Sequence, residues 1–284
     1  MIGLIRSEVL KLRTTNVWWA MLLGVGAFTA LALLVNILQA SFLLDNPDQG
    51  QFTPTDNEVE NQQQAQQNAF ARSSVAMAAN IYTSGQFFGI LLVMIFGVLI
   101  ITNEYRHKTA TATFLTTPRR TRVIGAKLVT AVIWGVVFCL VTAVISIPVG
   151  ALFFGSRDLG VQLGNGDVIG ALLLNALAFG IWAIFGLGLG TLLKNQVVAI
   201  VVALTLYFVQ LGVALVLMGL AYYFEALWIL DIQYWLPGGA STVMVSTTEV
   251  PDMPPWWQGA LALLGYGVVA AGIGTAVTTR RDIS

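Results

Sequence analysis

MIGLIRSEVLKLRTTNVWWAMLLGVGAFTALALLVNILQA, residues 1–40, decides the class of this fold. From 17 to 40 the chain carries no charge, and its uncharged polar side chains are Thr29, Asn36 and Gln39. A run of that length meets the roughly 20 apolar residues a helix needs to cross a hydrocarbon core. No small-residue cleavage signature precedes it, so the run reads as a retained span rather than a removed leader. Upstream, Ile2, Ile5, Val9 and Leu12 fall on one side of a helix, with Arg6, Glu8, Lys11 and Arg13 elsewhere. That pattern predicts an amphipathic segment over 1–16, lying along the membrane surface before Trp18 and Trp19 mark the interface.

The rest of the chain repeats the theme. Hydrophobic residues make up 57% of the 284, charged residues 10%, and the mean hydropathy is +0.78. A soluble domain of this size needs more polar surface than that, so the chain reads as an all-α integral membrane protein. Further runs lie at 87–102 (short for a span unless extended back to Ile81, which draws in Thr83, Ser84 and Gln86), 128–154, 168–193, 197–220 and 258–277, for six predicted transmembrane helices. β-Branched residues and glycines are plentiful in them. Inside a bilayer, however, the backbone must satisfy its own hydrogen bonds, which favours helices.

Charge sorting orients the spans. Of the 14 Lys and Arg residues, all but Arg72 and Arg157 fall before the first span, between the second and third, between the fourth and fifth, or after the sixth. Retention of positive charge on the cytoplasmic face puts both termini inside. Asp45, Asp48, Asp56, Glu58, Glu60, Asp158, Asp167, Glu225, Asp231, Glu249 and Asp252 then fall on the outer side. The single cysteine, Cys139, excludes an intrachain disulfide and a Cys-based metal site. The basic clusters are short and flank spans, unlike a nucleic-acid surface.

Two segments on the outer side interrupt the pattern. The first, 41–83, begins as an acidic, Pro-containing loop and becomes rich in Gln and Ala without Pro or Gly. A disordered polar loop and an ordered helix packed over an outer mouth both fit, with Asp56, Val59 and Glu60 as a weak start signal. The second, 221–257, holds Trp228, Tyr234, Trp235, Trp256 and Trp257. It reads either as a plain aromatic belt or as short, re-entrant helices between spans five and six, with a chain reversal at 237–239.

On the inner side the stretch 103–127 reads NEYRHKTATATFLTTPRRTRVIGAK. A short helix fits 108–115, stopped before Pro118. Arg119, Arg120 and Arg122 form a basic patch that suits either anionic lipid or a cytoplasmic partner. Glu104 and His107 are three apart, too few ligands for a metal or hydrolytic site. The spans hold Asn36, Gln39, Gln86, Asn175 and Gln210, which fit either packing hydrogen bonds or a transport pathway. No acidic or basic residue is read deep in a span, which leaves an ion-coupled relay unsupported. Glycines such as those of FGLGLG, 185–190, suit close helix packing. No GxxxxGK[ST] phosphate loop is present, so the chain has no visible means of hydrolysing ATP itself.

SEVLKLRTTNVWW, 7–19, and GVLIITNEYRHKTATATFLTTPRRTRVIGAK, 97–127, resemble the start and the second-span exit of an ABC-2-type transporter permease subunit of the bacterial, actinobacterial kind. The topology is similar over nearly the whole chain. The resemblance implies a single transmembrane domain over 1–284, with a cytoplasmic coupling helix that contacts a separate ATP-binding subunit. Carried over by position, Glu8, Lys11 and Arg13 match the interface helix. Glu104, Tyr105, Arg106, His107, Lys108, Thr109, Phe114 and Leu115 match the coupling loop. Residues 222–257 match the family's short external helices. The Gln-rich insertion after the first span departs from simpler members.

The implied function is the membrane half of an ATP-driven exporter of a hydrophobic or amphipathic substrate (lipid, peptide or drug) in a bacterial cytoplasmic membrane. The chain would not itself be an enzyme and would bind no cofactor; ATP and Mg would sit on the partner subunit, present as two copies or domains. A second permease, identical or related, would complete the pathway within membrane lipid. The alternatives are a secondary transporter or channel without an ATPase, and a non-transporting scaffold or sensor subunit.

Overall fold

The computed structural model describes residues 2–46, 53–107, 120–193, 195–247 and 254–280. The elements run α1 (Ile2–Arg13), α2 (Val17–Asp45), α3 (Glu58–Arg72), α4 (Ser74–Tyr82), α5 (Gln86–Arg106), α6 (Arg120–Ser156), α7 (Gly166–Leu193), α8 (Gln196–Phe224), α9 (Trp228–Trp235), α10 (Pro237–Val245) and α11 (Trp256–Arg280). Among the described residues there is no strand, and six helical stretches are long and apolar enough to span a membrane. The expected all-α class and span number hold.

Span boundaries move where apolar content is a poor guide. The second span is a broken helix. α4 and α5 are separated only by 83–85 and together form one membrane-length stretch, Ser74–Arg106. The stretch 74–83, read from sequence as the end of a polar insertion, is therefore a buried part of the bundle. Ala76, Met77, Ala78, Ala79, Ile81 and Tyr82 are all buried. Small alanines let α4 pack closely, and a mean over its Asn, Ser and Thr neighbours conceals this. The third span starts earlier than the sequence reading places it. α6 has 37 residues, about 55 Å at 1.5 Å per residue, which exceeds a hydrocarbon core of roughly 30 Å. Its first turns, 120–127, carry the basic residues previously assigned to a loop.

α7 is the centre of the bundle. Its glycines pack on two sides, as FGLGLG suggests. A Cβ on Gly186 would lie 1.9 Å from the Met94 carbonyl oxygen of α5, and one on Gly188 would lie 2.8 Å from the Ala270 carbonyl oxygen of α11. On the α5 side, a Cβ on Gly97 would meet Ala183 O at 2.2 Å. Backbone thus approaches backbone, replacing the solvent-driven packing a bilayer cannot supply.

α3 is ordered. Asn57, not Asp56, caps it, with Oδ1 accepting from Val59 N at 2.9 Å and Glu60 N at 3.2 Å. Val59 is buried with Ala221, Ile229 and Leu230, which pins α3 against α8 and α9. The aromatic segment between the fifth and sixth spans also differs from expectation at 237–239. Those residues do not reverse the chain; Pro237 opens α10, where its missing N–H costs nothing. The joint is Leu236, in extended conformation, and Gly239 lets α10 cross α9 because a Cβ there would lie 2.0 Å from Gln233 O. α8 ends at Glu225, whose φ of 52° is left-handed.

Candidate functional site

α1 has a buried face that its apolar pattern does not announce. Its buried residues are Glu8 and Leu12, while Ile2 and Leu10 are exposed. Glu8 points at the basic end of α5 and α6, where four charges close into a ring. Lys127 Nζ donates to Glu8 Oε2 at 2.6 Å and lies 2.8 Å from Glu104 Oε1. Lys11 Nζ donates to Glu8 Oε1 at 2.7 Å and to Glu104 Oε1 at 2.9 Å. Two carboxylates and two ammoniums balance, which is the condition for keeping charge away from water.

The ring ties together three elements distant in sequence: α1, the exit of α5 and the entry of α6. Lys127 is fully buried, and Glu8 and Glu104 are nearly so. Lys11 keeps 46% of its side chain exposed, so it forms the solvent edge. Burial alone pushes the Glu8 carboxyl up, but the Lys127 and Lys11 ammoniums outweigh it and hold the carboxyl below its ordinary 4.5. Burial lowers the Lys11 ammonium, and the two carboxylates overcome that and raise it above its ordinary 10.5. Glu104 Oε2 is buried with no hydrogen-bond partner among the described residues.

The structure brings Glu8, Lys11 and Glu104 together from the expected set. Arg106 is exposed at the same end and donates to Gln196 Oε1 of α8 at 3.2 Å. His107 is exposed and caps α5 through its backbone N–H, pointing to no joint role with Glu104. Tyr105 is half-buried, and Arg13 is exposed with its carbonyl accepting from Trp18 Nε1 at 3.1 Å. Lys108, Thr109, Phe114 and Leu115, with the helix expected at 108–115, lie outside the described residues.

Lys127 was missed as a member of this cluster: it lies seven residues inside α6, near the basic end of that helix, and is buried. A signal existed in the charge sorting. Glu8, Glu104 and Asp282 are the acidic residues on the basic side of the chain, and two of them are the ones that bind Lys127.

The span amides divide. Gln86 and Gln210 line a cavity of about 390 Å³ at the other end of α5, and Asn36 and Gln86 line a neighbour of about 440 Å³. Asn36 Nδ2 donates to Ser84 Oγ at 2.9 Å. Asn175 is buried but lines neither cavity, and Gln39 is exposed on α2.

Six apolar helices around a glycine-packed centre define a multi-pass helical membrane protein. Residues 4–210 match the model of the ABC-2 family transporter proteins, and the chain belongs to that family. Comparison with curated proteins returns no match. It is thus a membrane transporter of the ABC-2 permease family, whose members are not themselves catalytic. Among the described residues no group of three or more His, Cys, Asp or Glu side chains could hold a metal.

Proposed function

We propose that the chain is the membrane half of an ATP-driven exporter, with its basic end and both termini in the cytoplasm of a bacterial cell. A separate ATP-binding subunit, in two copies, binds at 104–122 and against α1, carrying ATP and Mg. A second permease, identical or related, completes the pathway for an apolar or amphipathic substrate.

The observation that carries this reading is the ring of Glu8, Lys11, Glu104 and Lys127. The ring joins the surface helix to both helices that flank 108–119, so a push on that stretch moves α1, α5 and α6 as one body. Discrete, charge-balanced contacts of this kind transmit displacement because they resist gradual deformation. α5 then runs roughly 27 Å, at 1.5 Å per residue, from Glu104 to the cavities at Gln86. The ring itself is electroneutral, which favours a mechanical role over an ion-coupled one.

The test is co-purification with the candidate ATP-binding chain, followed by ATPase assay in lipid. Replacing 108–119 with a Gly/Ser linker is expected to abolish stimulation while the protein still inserts. Unchanged binding and stimulation would overturn the reading.

A further inference from the structure

Two adjoining cavities occupy the end of the bundle opposite the charge ring. The first, of about 390 Å³, lies among α5, α8, α9 and α10, with Gln66 of α3 in its wall. The second, of about 440 Å³, lies among α2, α4, α5 and α10. Gln86, Phe87 and Thr242 line both, so the two adjoin along a shared wall as the two halves of one two-part chamber.

Among the described residues, the lining contains no Lys, Arg, His, Asp or Glu in either half. This is not for want of charge nearby. α9 carries Asp231 on an exposed position, while Gln233 and Tyr234 of the same helix face the cavity. α3 carries Glu58 and Glu60, yet contributes Gln66 and Phe70.

The amides in the first half are only partly committed. Gln86 Nε2 donates to Ser241 O at 3.1 Å, which leaves its Oε1 as an acceptor. Gln210 Oε1 accepts from Gly238 N at 2.8 Å, which leaves its Nε2 as a donor. Around them stand Phe87, Ile90, Leu211 and Val243. In the second half Thr247 Oγ1 is buried with no hydrogen-bond partner among the described residues. A volume of several hundred Å³ with apolar walls and a few converging polar groups is the form of a small-molecule site.

We propose that this chamber binds an uncharged amphiphile whose head carries hydroxyl or amide groups on an apolar body. A donor and an acceptor held on neighbouring helices match the donor and acceptor of a hydroxyl or amide. An ionic head would lose its hydration there and meet no counter-charge, which the lining cannot offset. The apolar body would lie against Phe87, Ile90 and Leu211. The inference rests on the permease reading only for what becomes of the ligand; binding requires no ATPase.

The test uses the full chain in lipid nanodiscs with photoactivatable probes sharing one dodecyl tail. The heads are maltoside, glycinamide, phosphocholine and phosphate, and labelled peptides are mapped by mass spectrometry. Either neutral head is expected to label 86–90 and 207–214, while both charged heads label exposed apolar positions away from the chamber, such as Val144 and Leu152 of α6. Gln86→Met with Gln210→Met removes both amides at similar volume and is expected to cut neutral-head labelling by about tenfold. Gln86→Met alone serves where loss of the Gly238 contact prevents folding. Equal labelling of the chamber by charged heads, or unchanged neutral labelling in the variant, would overturn the proposal. Lost ATPase coupling with intact labelling would instead count against the permease reading alone.

Discussion

Lys127 Nζ lies 2.6 Å from Glu8 Oε2, across 119 positions of sequence. The contact places an ammonium that no solvent reaches against the carboxylate of a surface helix. Because Glu104 and Lys11 complete the set, each charge faces two of opposite sign.

Removing one member is expected to cost far more than removing a matched pair. Lys127→Met should destabilise the folded protein by about 3 kcal/mol, since two buried carboxylates, Glu8 and Glu104, each lose one of their two ammonium partners. Glu8→Gln combined with Lys127→Met leaves Lys11 and Glu104 balanced and should recover part of that loss. Thermal unfolding in detergent of both singles and the double measures the coupling. Simple additivity of the two losses would show that the pair does not interact.

The attachment of α1 should depend on pH at both extremes. Glu8 titrates below its ordinary 4.5 in the fold, so its contribution is complete above that value and is lost as pH falls through the lowered one. Lys11 titrates above its ordinary 10.5, so its contribution is complete below that value and is lost as pH rises through the raised one. Protection of α1 amides in hydrogen exchange should therefore be level between 4.5 and 10.5, after correction for intrinsic rates. A step near neutral pH would assign the attachment to other groups.

Gly186→Ala should perturb the bundle although the change adds one methyl group. Its Cβ would sit 1.9 Å from Met94 O, so α5 and α7 must part, at a cost of about 1–3 kcal/mol. Gly212→Ala is the control: beyond the local backbone of its own helix no heavy atom among the described residues lies within 4 Å of that Cβ, and alanine is the better helix former. Folded yield and thermal unfolding should fall for the first and not for the second.

Asn57→Ala should loosen α3 selectively. The side chain caps two backbone N–H groups and also donates to Tyr222 O at 3.2 Å, so its loss should cost about 1 kcal/mol. Hydrogen exchange over Glu58–Arg72 should rise, with α5 and α7 unchanged. Equal protection in the variant would show that Val59 packing alone holds the helix.

The spans were legible because a bilayer imposes one rule on every residue between 17 and 40: apolar side chains and self-satisfied backbone. The same rule exposed the packing role of Gly186 and Gly188, since small residues inside an apolar run have few other uses. It failed for 74–82, where Ser74 and Asn80 lower the average of a helix whose alanines are buried. It failed again at Lys127, which looks like one more anchoring cation beside Arg119, Arg120 and Arg122. At 237–239 turn chemistry misled, because proline followed by two glycines suits a reversal as well as a helix start.

By itself the sequence determined the class, the number of spans and the sorting of charge to two ends. These depend on composition within single segments, which length and hydropathy report directly. Only the tertiary structure decided that Glu8, Lys11, Glu104 and Lys127 form one ring, and that Gln86 and Gln210 line one cavity, with no charged side chain among its described lining residues, while Gln39 and Asn175 do not. Which side of a helix faces its neighbours depends on rotation and crossing. Inside a membrane both sides of a helix are apolar, so the pattern that reveals a buried face in water is absent.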